Sequence, residues 1–418
     1  MINTLLVCTV GGEAAPVAAA IKGCSPARIL FLLSPQTERK VQDEILPLLA
    51  KEGVRFSPGQ YEMITVPDAQ DFAGCVERIR GIEADVVKWS SRGPDYRVVV
   101  DFTGGTKCMS AALALVARPW ACTYSYVGGT ERSKAGVGVV IDGKEKTYHT
   151  ENPWDALGYQ TAEEGIALFN KRDYRATIDV VERDFSRVKS AKVKTELNSL
   201  KMLAEGYLLW DLFNHGDAKQ KLKDVERNIN NLCRLTGDRH QDLKVTIVKH
   251  LGFLAQFSGQ WGHHTVVDLC ANARRCAQRG RYDDGVARLY RAIEATAQLR
   301  LRDHYDLADT GKVPIARVPE PLRSKWASRA RDGLLLLSLQ DDYQLLESFG
   351  DELSERFHRL SLSGKESPLG RRNMSILAHG FEPVKKQVFD ELYHKTIDLT
   401  GISEDDLPEF PTLSRAIE

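Results

Sequence analysis

The chain has 418 residues, of which 43% are hydrophobic and 27% charged, with 57 Lys plus Arg balanced by 57 Asp plus Glu. This length calls for two or more domains, and the zero formal charge excludes a global field for nucleic acid or membrane, so a polyanion site must be a local patch. Eight cysteines without a Cys-x-x-Cys pair read as small buried residues of a reducing compartment, and the lack of a leader core or bilayer-length apolar run makes a cytoplasmic protein without a membrane the expectation.

Residues 1–150 alternate short apolar runs with helical patterns. Strands are expected at Leu5–Val10, Arg28–Leu33, Tyr61–Val66, Tyr96–Asp101 and Ala121–Val127. Helices are expected from about Gln36 to Lys51, from Pro67-Asp68 onward, and over Met109–Ala117. Near-continuous apolar strands alternating with helices imply a parallel sheet covered on both faces, an α/β Rossmann-like domain. Gly138–Ile141, Asp142-Gly143 and Lys144–His149 read as a closing hairpin. From Thr161 the pattern is all-α. Glu163–Asn170 with Tyr174–Val181 and Val266–Arg279 with Asp283–Asp303 form helical hairpins, and Lys192–Leu212 and Asp342–Leu360 read as long helices. Ser361–Gly370 reads as a loop before helices at Arg371–His379 and Pro383–Leu399. The expected division is 1–155, a helical linker region 156–260, and 261–418.

Three glycine pairs, Gly11-Gly12, Gly104-Gly105 and Gly128-Gly129, come at or just past the carboxyl ends of predicted strands. In an open parallel sheet those ends line one edge, where ligands bind at a switch point. Glycine lets a backbone approach a ligand closely, though strand–helix turns use glycine for their own geometry as well. Thr9, Thr103, Thr106 and Thr130 add hydroxyls, and Lys107 adds a positive charge at a helix start, a place suited to phosphate. Neither the P-loop nor the dinucleotide glycine fingerprint is present.

The run Asp101-Phe102-Thr103-Gly104-Gly105-Thr106-Lys107-x-Met109, after a first strand ending in Thr9-Val10-Gly11-Gly12, resembles the CARF domain of type III CRISPR ancillary proteins. The resemblance covers residues 1–150. It implies a dimerising domain that binds cyclic oligoadenylate across its two-fold, with Thr9, Gly11, Gly12, Thr103, Gly104, Gly105, Thr106 and Lys107 lining the ring, and Gly128, Gly129 and Thr130 as further members.

Arg372 and His379 are seven residues apart in Arg372-Asn373-Met374-Ser375-Ile376-Leu377-Ala378-His379-Gly380. On an ideal helix they share a face, about 10 Å apart along the axis. Gly380 and Pro383 stop that helix, so its dipole favours protonated His379. An Arg and a His on one face suit metal-independent RNA cleavage, which needs an acid or base for the ribose hydroxyl and the leaving oxygen and positive charge on the phosphorane. A solvated Arg and a capping His have the same spacing. The segment resembles the Arg-x4–6-His motif of HEPN ribonucleases, in which an Asn commonly follows the Arg. The resemblance implies catalytic roles for Arg372, Asn373 and His379 and a composite site formed by two protomers.

CARF followed by HEPN implies a homodimeric, cyclic-oligoadenylate-activated single-stranded endoribonuclease of antiviral defence. No cofactor or metal is expected, and cyclic tetra-adenylate is preferred over hexa-adenylate as the activator. Two alternatives are a ring-binding regulator with an inactive helical domain and a sensor that also degrades its own ligand, with Thr9 and Lys107 as suspects. His263-His264 near Cys270 and Cys276 lack the spacing of a structural zinc site. Arg300, Arg302 and His304 read as a mixed helix surface, and Tyr207, Trp210 and Phe213 as a core stripe. Asp283, Asp284, Asp341 and Asp342 read as acids favoured near helix starts.

Overall fold

A computed structural model of the protein describes residues 2–129, 145–156, 158–237, 240–364, 367–373 and 380–414, with the backbone only at 155, 240 and 373. The chain divides into two compact units, residues 1–163 with 182–194, and residues 164–181 with 195–418.

The first unit is built on a six-stranded sheet: β1 (Asn3–Thr9), β2 (Arg28–Leu33), β3 (Tyr61–Thr65), β4 (Tyr96–Asp101), β5 (Cys122–Gly129) and β6 (Glu145–Glu151), in the order β3-β2-β1-β4-β5-β6. All neighbours are parallel except β5 and β6. The strands look continuously apolar because successive side chains enter different cores. Leu6, Cys8, Ile29, Phe31 and Val99 pack against Val17, Ile21 and Cys24 of helix α1 (Ala14–Cys24) and against Val41, Ile45 and Leu49. Leu5, Val7, Leu30, Leu32, Val98 and Val100 pack on the opposite core. That core is completed by α3 (Phe72–Arg80), α4 (Glu83–Ser90) and α5 (Lys107–Val116), through Cys75, Ile79, Val86, Trp89, Met109 and Leu113. Each such aliphatic burial contributes roughly 1.5–3 kcal/mol. The chain leaves β1 toward β2 on one side and returns as β4 on the other. The carboxyl ends of β1 and β4 are therefore the switch point.

The second unit is mostly helical, with a two-stranded antiparallel ladder of Val313–Pro314 and Leu334–Leu335, and the division between the units runs through Tyr159–Asn170, Tyr174–Asp184 and Ala191–Asp211. His263–Gln278 and Tyr282–Tyr305 form its central hairpin, turned at Gly280 with φ +72°. Lys386–Thr400 packs against both, so closely that a Cβ on Gly285 would stand 2.6 Å from the Phe389 ring. Phe410, in the tail, is seated among Tyr174, Tyr207, Trp210 and His250, with the Arg275 guanidinium 3.9 Å from its ring centroid. Among the described residues no helix is long and apolar enough to cross a membrane.

Several boundaries differ from expectation. The helix read from Gln36 begins at Val41 with a π turn and continues as α2 (Leu46–Lys51). The helix read from Pro67 begins at Phe72, where the Asp71 carboxylate accepts the Ala73 N–H. Asp342–Leu360 is two helices, Leu339–Ser348 and Glu352–Arg359, because Gly350 turns at φ +73° and Asp351 caps the second. Pro368 starts a helix inside the segment read as loop, with the Ser367 hydroxyl accepting the Gly370 N–H. The first arm of the expected hairpin (138–141) and its turn lie outside the described residues, while the second arm is β6, antiparallel to β5.

Candidate functional site

The loops after β1 and β4 meet at the switch point. The Thr9 hydroxyl donates to the Gly104 carbonyl at 2.6 Å, and the Ser110 hydroxyl donates to the same oxygen at 2.8 Å. A Cβ on Gly104 would lie 2.9 Å from the Gly11 nitrogen, and one on Gly11 would lie 2.8 Å from the Gly105 nitrogen. Gly105 adopts φ +79°, a left-handed turn open to glycine. The packing of one loop on the other thus requires Gly11, Gly104 and Gly105. Gly12 is exposed, with nothing within 4 Å of an added Cβ.

The threonines are tied into the same scaffold. The Thr103 hydroxyl accepts the Val127 N–H at 2.7 Å, fastening the loop to β5. The Thr106 hydroxyl donates to the Ala69 carbonyl at 2.5 Å and caps α5 by accepting the Met109 N–H. The Asp101 carboxylate accepts the Thr103 N–H at 3.0 Å, and burial pushes its pKa up. The backbone of these loops supplies further donors. Among the described residues, the N–H groups of Gly11, Gly12, Gly104 and Gly105 bond to no other group of the chain. The amino ends of α1 and α5 flank them, and Lys107 is exposed at the start of α5. Unpaired N–H groups, two helix amino ends and one ammonium are chemically suited to an anion. Gly128 and Gly129 end β5, where a Cβ on Gly128 would press on Tyr126 and Tyr148; Thr130 lies outside the described residues.

In the helical unit, Arg372 lies on the helix Pro368–Asn373, and its guanidinium stands 4.4 Å from the ring centroid of Tyr290. Arg371 beside it pairs with Glu391 at 2.5 Å. Asn373 is described by its backbone only, and His379 lies outside the described residues. Tyr290 escaped the sequence reading, because a tyrosine at a helical period reads as core.

The remaining histidines, cysteines, aromatics and acids have identifiable places. Trp210 Nε1 and His215 Nε2 reach the buried Asp268 carboxylate at 3.0 and 2.8 Å. His264 stands edge-on to Phe257, and burial pushes the Cys270 thiol up to about 12. Among the described residues no group of three or more His, Cys, Asp or Glu is placed to hold a metal. Tyr207 and Trp210 are buried and Phe213 packs at the core's edge. Arg300 pairs with Asp351 at 2.7 Å, and Arg302 donates to the Trp261 carbonyl at 2.8 Å. Asp341 receives both arms of Arg329, at 2.8 and 2.6 Å, and Asp283 accepts the Val384 N–H. Asp342 is buried with both carboxyl oxygens unpartnered, and burial pushes its pKa up to about 8.

Residues 157–246 match the Csm6 6H domain and residues 255–403 the Csm6 HEPN domain, together more than half of the chain. The fold is similar to Enterococcus italicus Csm6 bound to cyclic hexa-2'-fluoro-hexa-dAMP, at 11% identity and TM-score 0.47, covering 97% of each chain. It is also similar to Can2 from Sulfobacillus thermosulfidooxidans in complex with cyclic tetra-adenylate, at 12% identity and TM-score 0.25, over 52% of this chain and 68% of that one. A third similarity is to protein VC1899 from Vibrio cholerae, at 10% identity and TM-score 0.25, over 70% of this chain and 68% of that one. The comparison with curated proteins returns no match.

Proposed function

The chain is a CARF–HEPN protein of the Csm6 type, and from that premise we propose that it is a cyclic-oligoadenylate-activated, metal-independent endoribonuclease acting on single-stranded RNA. The observation that carries the reading is the span of the HEPN match, 255–403, which includes the whole Arg372–His379 motif. The anion-suited edge at the β1–β4 switch point supports the sensor half: ring phosphates would sit on the N–H groups of Gly11, Gly12, Gly104 and Gly105, with Lys107 as counter-charge. The proposed division of labour is a sensor at 1–155, connecting helices at 156–260 and a nuclease at 261–418.

The working form is a homodimer. The ring binds one arrangement of the protomers better than the other, which is the only way a ligand shifts an equilibrium. In that arrangement two copies of Arg372, Asn373 and His379 face each other across one RNA strand. Arg372 stabilises charge developing on the phosphorane, and His379 moves a proton at the 2′-hydroxyl or at the leaving oxygen.

The test is to incubate the protein with labelled single-stranded RNA while adding cyclic tetra-adenylate and cyclic hexa-adenylate separately. Ring-dependent cleavage, with tetra-adenylate effective at the lower concentration, is expected. Ring binding without cleavage at saturation would identify a regulator instead. Loss of the ring itself in a His379→Ala background would add ring cleavage to the sensor.

A further inference from the structure

We propose that Tyr290 is a positioning residue of the nuclease site, its ring holding the guanidinium of Arg372 in one orientation. The proposal rests on the reading of Arg372 given above. The two residues come from different helices. Arg372 lies on the helix Pro368–Asn373. Tyr290 lies in the middle of the 24-residue helix Tyr282–Tyr305, whose neighbouring positions Leu289, Ala292 and Ile293 are fully buried. The guanidinium carbon stands 4.4 Å from the Tyr290 ring centroid, within cation–π range. Stacking uses the face of the guanidinium, whereas a phosphate meets a guanidinium at its N–H edges, so the two contacts use different parts of the group, a geometry that an ammonium would not provide.

The charges around Tyr290 are arranged so that the stack is not pulled aside. Glu294, one turn further along the same helix, is tied to Arg291 at 2.8 Å. Asp342 on the packed helix Leu339–Ser348 is buried, and its carboxyl is pushed up to about 8, so it is mostly protonated at neutral pH. Burial also raises the Tyr290 phenol, which stays neutral and presents its π face. Orientation fixed in advance is what a transition-state contact needs, because the side chain is not ordered at the moment of reaction.

The experiment compares the full-length protein with Tyr290→Phe, Tyr290→Leu, Tyr290→Met and Arg372→Ala, measuring kcat and KM for single-stranded RNA with cyclic tetra-adenylate or hexa-adenylate present, together with melting temperature. Tyr290→Phe should cut within about twofold of the parent, because the face is kept. Tyr290→Leu should lose roughly tenfold in kcat with KM little changed. Tyr290→Met repeats that loss in a side chain of nearly the same reach, should leucine melt early. If Arg372→Ala is inactive while the Leu and Met variants cut at the parental rate, the positioning role is wrong and the nuclease reading stands. A rise in KM alone, or a Phe variant as slow as Leu, overturns the role as well. If Arg372→Ala cuts normally, or the parent does not cut, the nuclease reading itself has failed.

Discussion

Gly104 meets Gly11 backbone against backbone, with room for a hydrogen but not for a methyl group: a Cβ on Gly104 would stand 2.9 Å from the Gly11 nitrogen. The two switch-point loops therefore form one body, fastened by the bond from the Thr9 hydroxyl to the Gly104 carbonyl. Gly104→Ala is expected to cost about 1–3 kcal/mol by overpacking and to lose ring binding together with the drop in melting temperature. Gly12→Ala meets open space; its melting temperature should stay at the parental value while titration with cyclic tetra-adenylate reports any clash with the ligand. A Gly12→Ala variant that melts early would contradict the open space around Gly12.

Lys107 starts α5 and is exposed beside the unpaired N–H groups. A charge-assisted contact to phosphate contributes about 1.5–3 kcal/mol, so Lys107→Ala should raise the ring concentration for half-maximal activation by roughly 10- to 100-fold. At saturating ring the cleavage rate should be recovered. Titrating RNA cleavage against ring concentration checks this. An unchanged midpoint would remove Lys107 from the site.

Much of the first unit was legible because a parallel sheet advertises itself. Arg28–Leu33 and Tyr96–Asp101 are strands at the boundaries read from their apolar runs. Their alternation between two cores explains why no polar face broke the pattern. The glycine pairs read as a site edge, and the packing of Gly11 on Gly104 was not legible, since the two are far apart in sequence. The threonine hydroxyls read as ligand donors, whereas Thr9, Thr103 and Thr106 make bonds to the chain's own backbone. Tyr290 was invisible because its partner, Arg372, lies far along the chain on a helix read as loop up to Gly370. Asp342 resembled its neighbour Asp341, and only packing separates a carboxylate paired with Arg329 from one buried without a partner.

Asp342 gives a prediction with a definite sign. Its folded-state pKa is raised from the ordinary 3.8 to about 8. Between those values the unfolded chain has released the proton and the folded chain has kept it, so stability falls as pH rises and levels off above the folded value. Asp342→Asn removes this dependence. The stability difference, variant minus parent, should grow by at most about 1.4 kcal/mol per pH unit from pH 4 to pH 8. Urea unfolding at several pH values checks it, and a difference independent of pH would contradict it.

Phe410 tests the role of the tail. It is 2% exposed in a cage of aromatic rings beneath the Arg275 guanidinium. The tail is further held by two bonds between Leu413 and the Asn170 side chain, both 2.8 Å. Phe410→Ala should destabilise the helical unit by about 3–5 kcal/mol, seen as an earlier urea midpoint. A loss under about 0.5 kcal/mol, the range of ordinary surface changes, would mean that the tail only rests on the surface.

A ring bound at the switch point is proposed to govern chemistry at the Arg372–His379 motif, and measuring ring binding and RNA cleavage together in the parent and in His379→Ala tests this. His379→Ala is expected to bind cyclic tetra-adenylate as the parent does and to cut no single-stranded RNA at saturating ring. Cleavage by His379→Ala at the parental rate, or a parent whose cleavage ignores both rings, would contradict it.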